Sequence, residues 1–280
     1  MAVVVVTDSS SRLPAALCRE WGIRQVPLHI LIDGETLRDG VDPIPADVHE
    51  RPNATTAGAT PAELSAAYRQ ALDDSSGDGV VAVHISATLS STFTSAEQSA
   101  RQFSGAVRVV NSRSAAMGTG FVALAAAGAA ADGMNLDAVE QQALSAAKRV
   151  RGYVAVHQLD NLRRSGRIGA AASRLSTALS IKPVLRIDQD GRLVLAERVR
   201  TATKAVTALV DMAADEAGDR PVAIAVHHVD NPSGAADIAA QLSARLTIRG
   251  EPLITDLGPV LAVHLGSGAI AVALELVEVD

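Results

Sequence analysis

One repeated pattern restricts this chain more than any other: a short β-branched run, a hydroxyl-rich loop and a helix-forming stretch, met four times before residue 125. VVVVT (3–7) ends in Asp8-Ser9-Ser10-Ser11, and a helix opens near Pro14, a good first-turn residue. VPLHILI (26–32) leads into a polar stretch carrying Gly34, Gly40, Pro43 and Pro45. The small-residue loop 53–61 then enters a helix through a T-x-x-E capping box, Thr60 with Glu63, and Pro61 at the first helical position. GVVAVHI (79–85) runs into Ser86-Ala-Thr-Leu-Ser90-Ser91-Thr92 and a helix over 91–103; VRVV (107–110) runs into Asn111-Ser112 and a long Ala-rich helix. Such alternation predicts an α/β domain on a parallel sheet, with loops gathered at the carboxyl ends of the strands, where these sheets bind ligands.

After a helix near 137–150 the character changes. YVAVH (153–157) is followed by the polar run LDNLRRSGRIG (159–169), then by KPVLRID and RLVLAERV joined at Asp190-Gly191, a hairpin signal. A helix near 202–217, a strand at 222–228, a helix near 233–246 and strands around 252–256, 260–264 and 269–276 complete the chain. This half reads as a mixed-sheet α/β domain with helices on one face. The boundary is placed near 150, giving domains 1–150 and 151–280. No repeat or low-complexity linker separates them, so they are expected to pack directly.

The 280 residues are 48% hydrophobic but only 2% aromatic, so the core must be filled by Ala, Val, Leu and Ile. Aliphatic walls suit an acyl chain better than a flat base, although a bland aliphatic core explains the same numbers. A net charge of −6 with interspersed signs argues against a nucleic-acid surface. The single Cys18 excludes an internal disulfide and a Cys-rich metal site. No secretory signal is evident, and no stretch reaches the roughly 18 apolar residues of a membrane span. A cytoplasmic location is expected.

No P-loop, complete dinucleotide fingerprint or H-E-x-x-H zinc motif is present. His227 and His228 are adjacent, face opposite sides of a strand and make poor joint ligands; His84 and His157 read as ordinary strand histidines. Asp8 suits helix capping better than Mg²⁺. Ser90, Ser91 and Thr92 stand where a helix begins, so hydroxyls and free N–H groups can converge on an anion. Taken alone, Ser90 reads first as an N-cap. Thr56 is different: Thr60 takes the capping duty, and no local task is visible for Thr56. A second hydroxyl on the same rim favours a carboxylate or phosphate site. Arg167 between glycines, Arg200 before Thr201, and His264 ahead of Gly266-Ser-Gly268 lie at loop edges that together suggest one site between the domains.

In these motifs the sequence resembles the DegV family, the fatty-acid-binding subunits of bacterial fatty acid kinase. VVTDSSSRLP is similar to the family's opening TDS-x-x-x-LP. Thr56-Ala-Gly-Ala-Thr60 stands at its T-S-Q-P-[ST] motif, and Ile85 to Phe93 matches I-S-S-x-L-S-G-T-Y. Asn111-Ser112 with Met117-Gly118-x-Gly120, Leu162 to Ile168, Ile181-Lys182-Pro183, Val199-Arg200-Thr201 and His264 to Gly268 come after it in order. The resemblance implies two α/β domains with an acyl chain in a tunnel between them. It implies that Thr56 and Ser90 bind the carboxylate of a long-chain fatty acid such as palmitate or oleate. Arg167, Arg200 and His264 would surround the head group or serve phosphotransfer. It further implies a separate dihydroxyacetone-kinase-like partner that supplies ATP and Mg²⁺, a role in phospholipid metabolism, and no cofactor or metal on this chain. The family pattern is departed from at Gly58-Ala59, Ser91, Asn111 and Ser267, but the hydroxyls persist.

Two other functions fit the residues. A stand-alone acyl hydrolase would use Ser90 as nucleophile and His264 as base, although G-x-S-x-G is absent around Ser90. A lipid-sensing regulatory protein would bind the same ligand without a kinase.

Overall fold

The computed structural model describes residues 2–168 and 181–277. The first half comprises β1 (Val4–Asp8), α1 (Ala15–Glu20), β2 (Arg24–Val26), β3 (His29–Ile32), β4 (Glu35–Arg38), β5 (Thr55–Ala57), α2 (Pro61–Ser75), β6 (Val80–His84), α3 (Thr92–Ala100), β7 (Val107–Asn111), α4 (Met117–Ala131) and α5 (Leu136–Arg149). Strands β2-β1-β6-β7 form a four-stranded parallel sheet. Its strands read as continuous Val-rich runs because helices cover both faces. Val5, Val81 and Val83 pack with α4 and α5, while Val6, Val80 and Ala82 pack with Leu64 and Tyr68 of α2 and Ala96 of α3.

Three sequence expectations are corrected here. The run 26–32 is two strands, not one: β2 belongs to the parallel sheet, whereas β3 pairs antiparallel with β4 and β5 in a separate three-stranded sheet. Pro27 stands between them, and its missing N–H interrupts a continuous ladder. The polar stretch contains β4, reached through Asp33 (φ 52°) and Gly34 (φ 82°), the two positive φ values of a tight hairpin turn. The 53–61 segment is partly a strand, with Thr56 opposite Ile30.

The second half comprises β8 (Val150–Ala155), α6 (Asp160–Arg164), β9 (Lys182–Ile187), β10 (Leu193–Val199), α7 (Ala202–Ala217), β11 (Val222–His228), α8 (Pro232–Ser243), β12 (Leu253–Asp256), α9 (Gly258–Leu265) and β13 (Ile270–Leu276). Its mixed sheet runs β10-β9-β8-β13-β11-β12, with only β11 and β12 parallel. Leu209 of α7 and Ile238 of α8 pack on one face with Ile224, Val272 and Leu274. The other face is closed by the first half: Ala225 and Ala273 share a core with Ala126 and Ala127 of α4. The molecule is thus a two-domain α/β fold in which α4 is sandwiched between the two sheets.

The expected strand over 260–264 is instead helix α9. Pro259 occupies its first turn, and Val260 to Val263 are all buried. A short apolar run buried all round carries no helical period, so strand and helix are indistinguishable from pattern alone. The capping box at Thr60–Glu63 and the helix over 202–217 form as expected.

The Asp190-Gly191 hairpin also forms, and its tip docks across the domain interface. The Gly191 carbonyl accepts hydrogen bonds from Ser86 Oγ (2.9 Å) and Thr88 Oγ1 (2.6 Å) in the loop after β6. Gly191 has φ 82°, and a Cβ there would lie 2.2 Å from Ser86 Oγ and 3.0 Å from Arg113 Cα. Gly191→Ala is therefore expected to lower stability by about 2–4 kcal/mol, through backbone strain together with the lost docking. A urea midpoint equal to that of the parent protein would show that the tip is not held there.

Candidate functional site

The two halves enclose a cavity of about 340 Å³. Its walls are chiefly aliphatic: Leu89 and Ala116 from the first half, and Val154, Leu193, Leu261 and Ala271 from the second. Four of the polar residues singled out by sequence, Thr56, Ser90, Arg167 and His264, line this same cavity. Each is only partly buried.

Thr56 is held by its strand and by the turn that joins β5 to α2. The His29 ring lies 3.1 Å from Gly58 O through Nδ1 and 2.9 Å from Glu63 Oε1 through Nε2, and Glu63 is the carboxylate of the capping box. At Gly58 a Cβ would stand 2.6 Å from Thr92 Oγ1, so the missing side chain lets the Thr56 strand close on the start of α3. Thr56 does have a partner of its own: its Oγ1 lies 2.8 Å from His264 Nε2. His264 ends helix α9, not a strand, and the glycines behind it shape the chain instead of lining the cavity. Gly266 caps α9, and a Cβ at Gly268 would strike the His157 ring.

Ser90 sits in the loop between β6 and α3. Its Oγ accepts the Thr92 N–H (3.2 Å) and lies 2.9 Å from Thr92 Oγ1, so it satisfies a first-turn donor of α3 as a capping residue does while also facing the cavity. The loop starts from a buried anchor. Asp8 caps the turn after β1 by accepting the Ser10 N–H, and its Oδ2 accepts the Ile85 N–H and contacts His84 Nδ1, whose Nε2 meets Tyr68 OH at 2.8 Å. Burial pushes the Tyr68 phenol far above its usual range.

Arg167 lies just beyond α6 and donates through Nε to Leu89 O (3.3 Å) and through Nη1 to Ser165 O, which ties it to the Ser90 loop. Gly169, the glycine on its far side, lies outside the described residues. His264 titrates low, at about 4, because burial disfavours its cation and Arg167 adds positive charge. It is therefore neutral near pH 7. When Nε2 carries the proton and donates to Thr56, the Thr56 hydroxyl keeps its own proton for an incoming acceptor. Among the described residues His264 Nδ1 has no hydrogen-bond partner. Arg200 is not brought to this site: it is exposed just before α7, where Thr201 caps the helix.

Sequence reasoning passed over His227, which lines the cavity although it is fully buried. Its Nε2 accepts the Met117 N–H at the start of α4 (3.2 Å), and its Nδ1 lies 2.7 Å from Thr255 Oγ1. Burial, then Arg12 and His228, lower its pKa to about 3. The fixed acceptor role at Nε2 assigns the neutral ring with its proton on Nδ1. Ala116 was also missed. It lines the cavity at φ 51°, ψ −145°, a strained backbone for a residue with a Cβ. Neither residue carries a sequence signal, since both depend on the second domain or on a backbone angle.

Among the described residues no group of three or more His, Cys, Asp or Glu side chains could hold a metal ion, and no helix is long and apolar enough to cross a membrane.

Fold and cavity together define a two-domain α/β protein whose chiefly aliphatic cavity carries hydroxyl, imidazole and guanidinium groups. The chain belongs to the DegV family: the family model described as "Uncharacterised protein, DegV family" matches residues 2–276. A DegV domain-containing protein of Mycobacterium tuberculosis is 58% identical over 276 residues, covering 99% of this chain and 98% of that protein. The structure of a fatty-acid-binding DegV family protein from Thermus thermophilus is 31% identical, with a TM-score of 0.92 over 99% of this chain and 100% of the other. DegV from Bacillus subtilis, described as a fatty acid binding protein, is 28% identical, with a TM-score of 0.87 over 99% and 100% of the two chains.

Proposed function

We propose that this protein binds one long-chain fatty acid in the interdomain cavity and holds its carboxylate with Thr56 and Ser90. The observation that carries this reading is that Thr56, Ser90, Arg167 and His264 line one chiefly aliphatic cavity, with Thr56 Oγ1 2.8 Å from His264 Nε2 and Arg167 bonded to Leu89 O beside Ser90. The fatty-acid-binding relatives from Thermus thermophilus and Bacillus subtilis support it. Burial of the tail supplies about 0.8 kcal/mol per methylene, and the hydroxyls and Arg167 fix which end stays near solvent.

The same arrangement suits presentation of the carboxylate to a separate kinase. A carboxylate oxygen would attack the γ-phosphorus of ATP held by a dihydroxyacetone-kinase-like partner, forming an acyl phosphate and releasing ADP. The partner would supply ATP and Mg²⁺, since phosphoryl transfer relies on metal and cationic stabilisation. This chain would bind, orient and shield the acid, with Arg167 close to the reacting oxygen and no cofactor of its own. A cytoplasmic location and a place in phospholipid metabolism accord with ATP as co-substrate. The hydrolase alternative is disfavoured by geometry, because His264 pairs with Thr56 and Ser90 with Thr92, leaving no Ser90–His264 dyad.

Native mass spectrometry of the purified protein tests the binding claim. The expected result is one fatty acid per chain, retained under gentle ionisation and removed on denaturation. A protein that is empty and stays empty with added palmitate and oleate would overturn it. Acyl-phosphate formation by a co-purifying kinase, dependent on this chain, tests the second claim separately.

A further inference from the structure

Gly152 stands in the interior of β8 without a positive φ, so its backbone does not require glycine. Glycine in such a place weakens a strand and marks a close approach by other atoms. Here the approaching group is Ile187, at the end of β9: a Cβ on Gly152 would meet its Cδ1 at 3.1 Å, its Cγ1 at 3.4 Å and its Cβ at 3.8 Å. Gly152 and Ile187 both line the cavity, and Ala273, opposite Gly152 on β13, keeps the floor low on the other side. Val154, on the same face of β8 and nearer in sequence to α6 and Arg167, lines the cavity too, and Gly152 lies about 7 Å before it along the strand, at roughly 3.3 Å per residue. On the fatty-acid reading, this part of the lining lies beside the tail of the bound acid.

We propose that Gly152 is a specificity-determining residue: its missing side chain forms a notch that receives Ile187 and keeps that side chain out of the path of a long acyl chain. The inference rests on the fatty-acid reading above. A methyl group at position 152 would stand 3.1 Å from Ile187 Cδ1, so the Ile187 side chain has to give by a few tenths of an ångström. Ile187 is the group able to move, because it is a side-chain end and not backbone. Pushed from the notch, it narrows the cavity beside the tail, as does the new methyl group itself.

The test compares laurate, palmitate and oleate binding by titration calorimetry to the full chain and its G152A, I187A and G152A/I187A variants. G152A is expected to weaken palmitate and oleate on the order of tenfold, the scale of one misplaced methylene in an apolar pocket, and laurate much less. The double variant, with no Ile187 to displace, is expected to regain most of the long-chain affinity. The inference is overturned if G152A binds palmitate and oleate as tightly as the parent does. It is equally overturned if G152A loses all three alike and G152A/I187A regains none of them, because the glycine would then serve folding alone. A parent protein that binds none of the acids fails the fatty-acid reading itself, which separates the two failures.

Discussion

Replacing both Thr56 and Ser90 with alanine is expected to weaken palmitate binding on the order of a hundredfold or more, with single substitutions near tenfold. A hydrogen bond to a charged group contributes about 1.5–3 kcal/mol, and both hydroxyls are uncharged donors in the cavity lining. Part of each effect is local. Thr56→Ala leaves His264 Nε2 without its 2.8 Å partner, and Ser90→Ala leaves the Thr92 N–H unaccepted. A loss of about 1–2 kcal/mol in stability should therefore accompany the binding loss, measured by urea denaturation beside calorimetry. Arg200→Ala supplies the contrast: exposed and outside the cavity lining, it is expected to leave palmitate affinity within about twofold, the scale of ordinary surface changes. A double variant that bound palmitate as tightly as the parent would place the carboxylate elsewhere.

The second large effect is on acid stability. His227 titrates at about 3 and His264 at about 4 in the fold, each lowered first by burial, against an ordinary value of 6.5. Both are neutral in the native state, so their contribution is complete above pH 6.5. As pH falls below 6.5 the unfolded chain takes up protons that the fold excludes. Stability then declines until the folded groups protonate in turn, near 4 for His264 and near 3 for His227. Each excluded proton contributes a slope of about 1.4 kcal/mol per pH unit. His227→Gln should remove one such slope between pH 6 and 5, and comparison with the parent cancels the carboxylates that begin to titrate there. Equal slopes in urea-derived stability for the two proteins would show that His227 is not held neutral. The expectation has a structural cause beyond burial: Nε2 faces the Met117 N–H at the start of α4, where a second proton has no room.

Much of the fold and part of the site are legible in the sequence, and the divide lies along a physical line. Runs such as Val80–His84 declare a strand because both faces are covered by helices, and Thr60–Glu63 declares a helix start because its cap is local. Thr56 and Ser90 stand out as a pair because one hydroxyl is spare and the other stands at a helix entry. The family motifs add Arg167 and His264. All of these signals lie within a few residues of the groups they describe.

What the sequence could not decide is whatever depends on residues far apart in the chain. Pro27 divides one apolar run between two sheets, and the largely buried 260–264 run is a helix although its pattern does not separate helix from strand. Thr56 meets His264 across 208 residues, and His227 accepts a helix N–H across 110. Arg200 matches a motif as well as Arg167 does, yet only Arg167 reaches the cavity. The repeated strand, hydroxyl loop and helix thus determined a parallel sheet with polar groups at its carboxyl edge, since periodicity and capping act locally. Only the packing of the second sheet over that edge decided which polar groups meet, because distance and desolvation are properties of the folded chain.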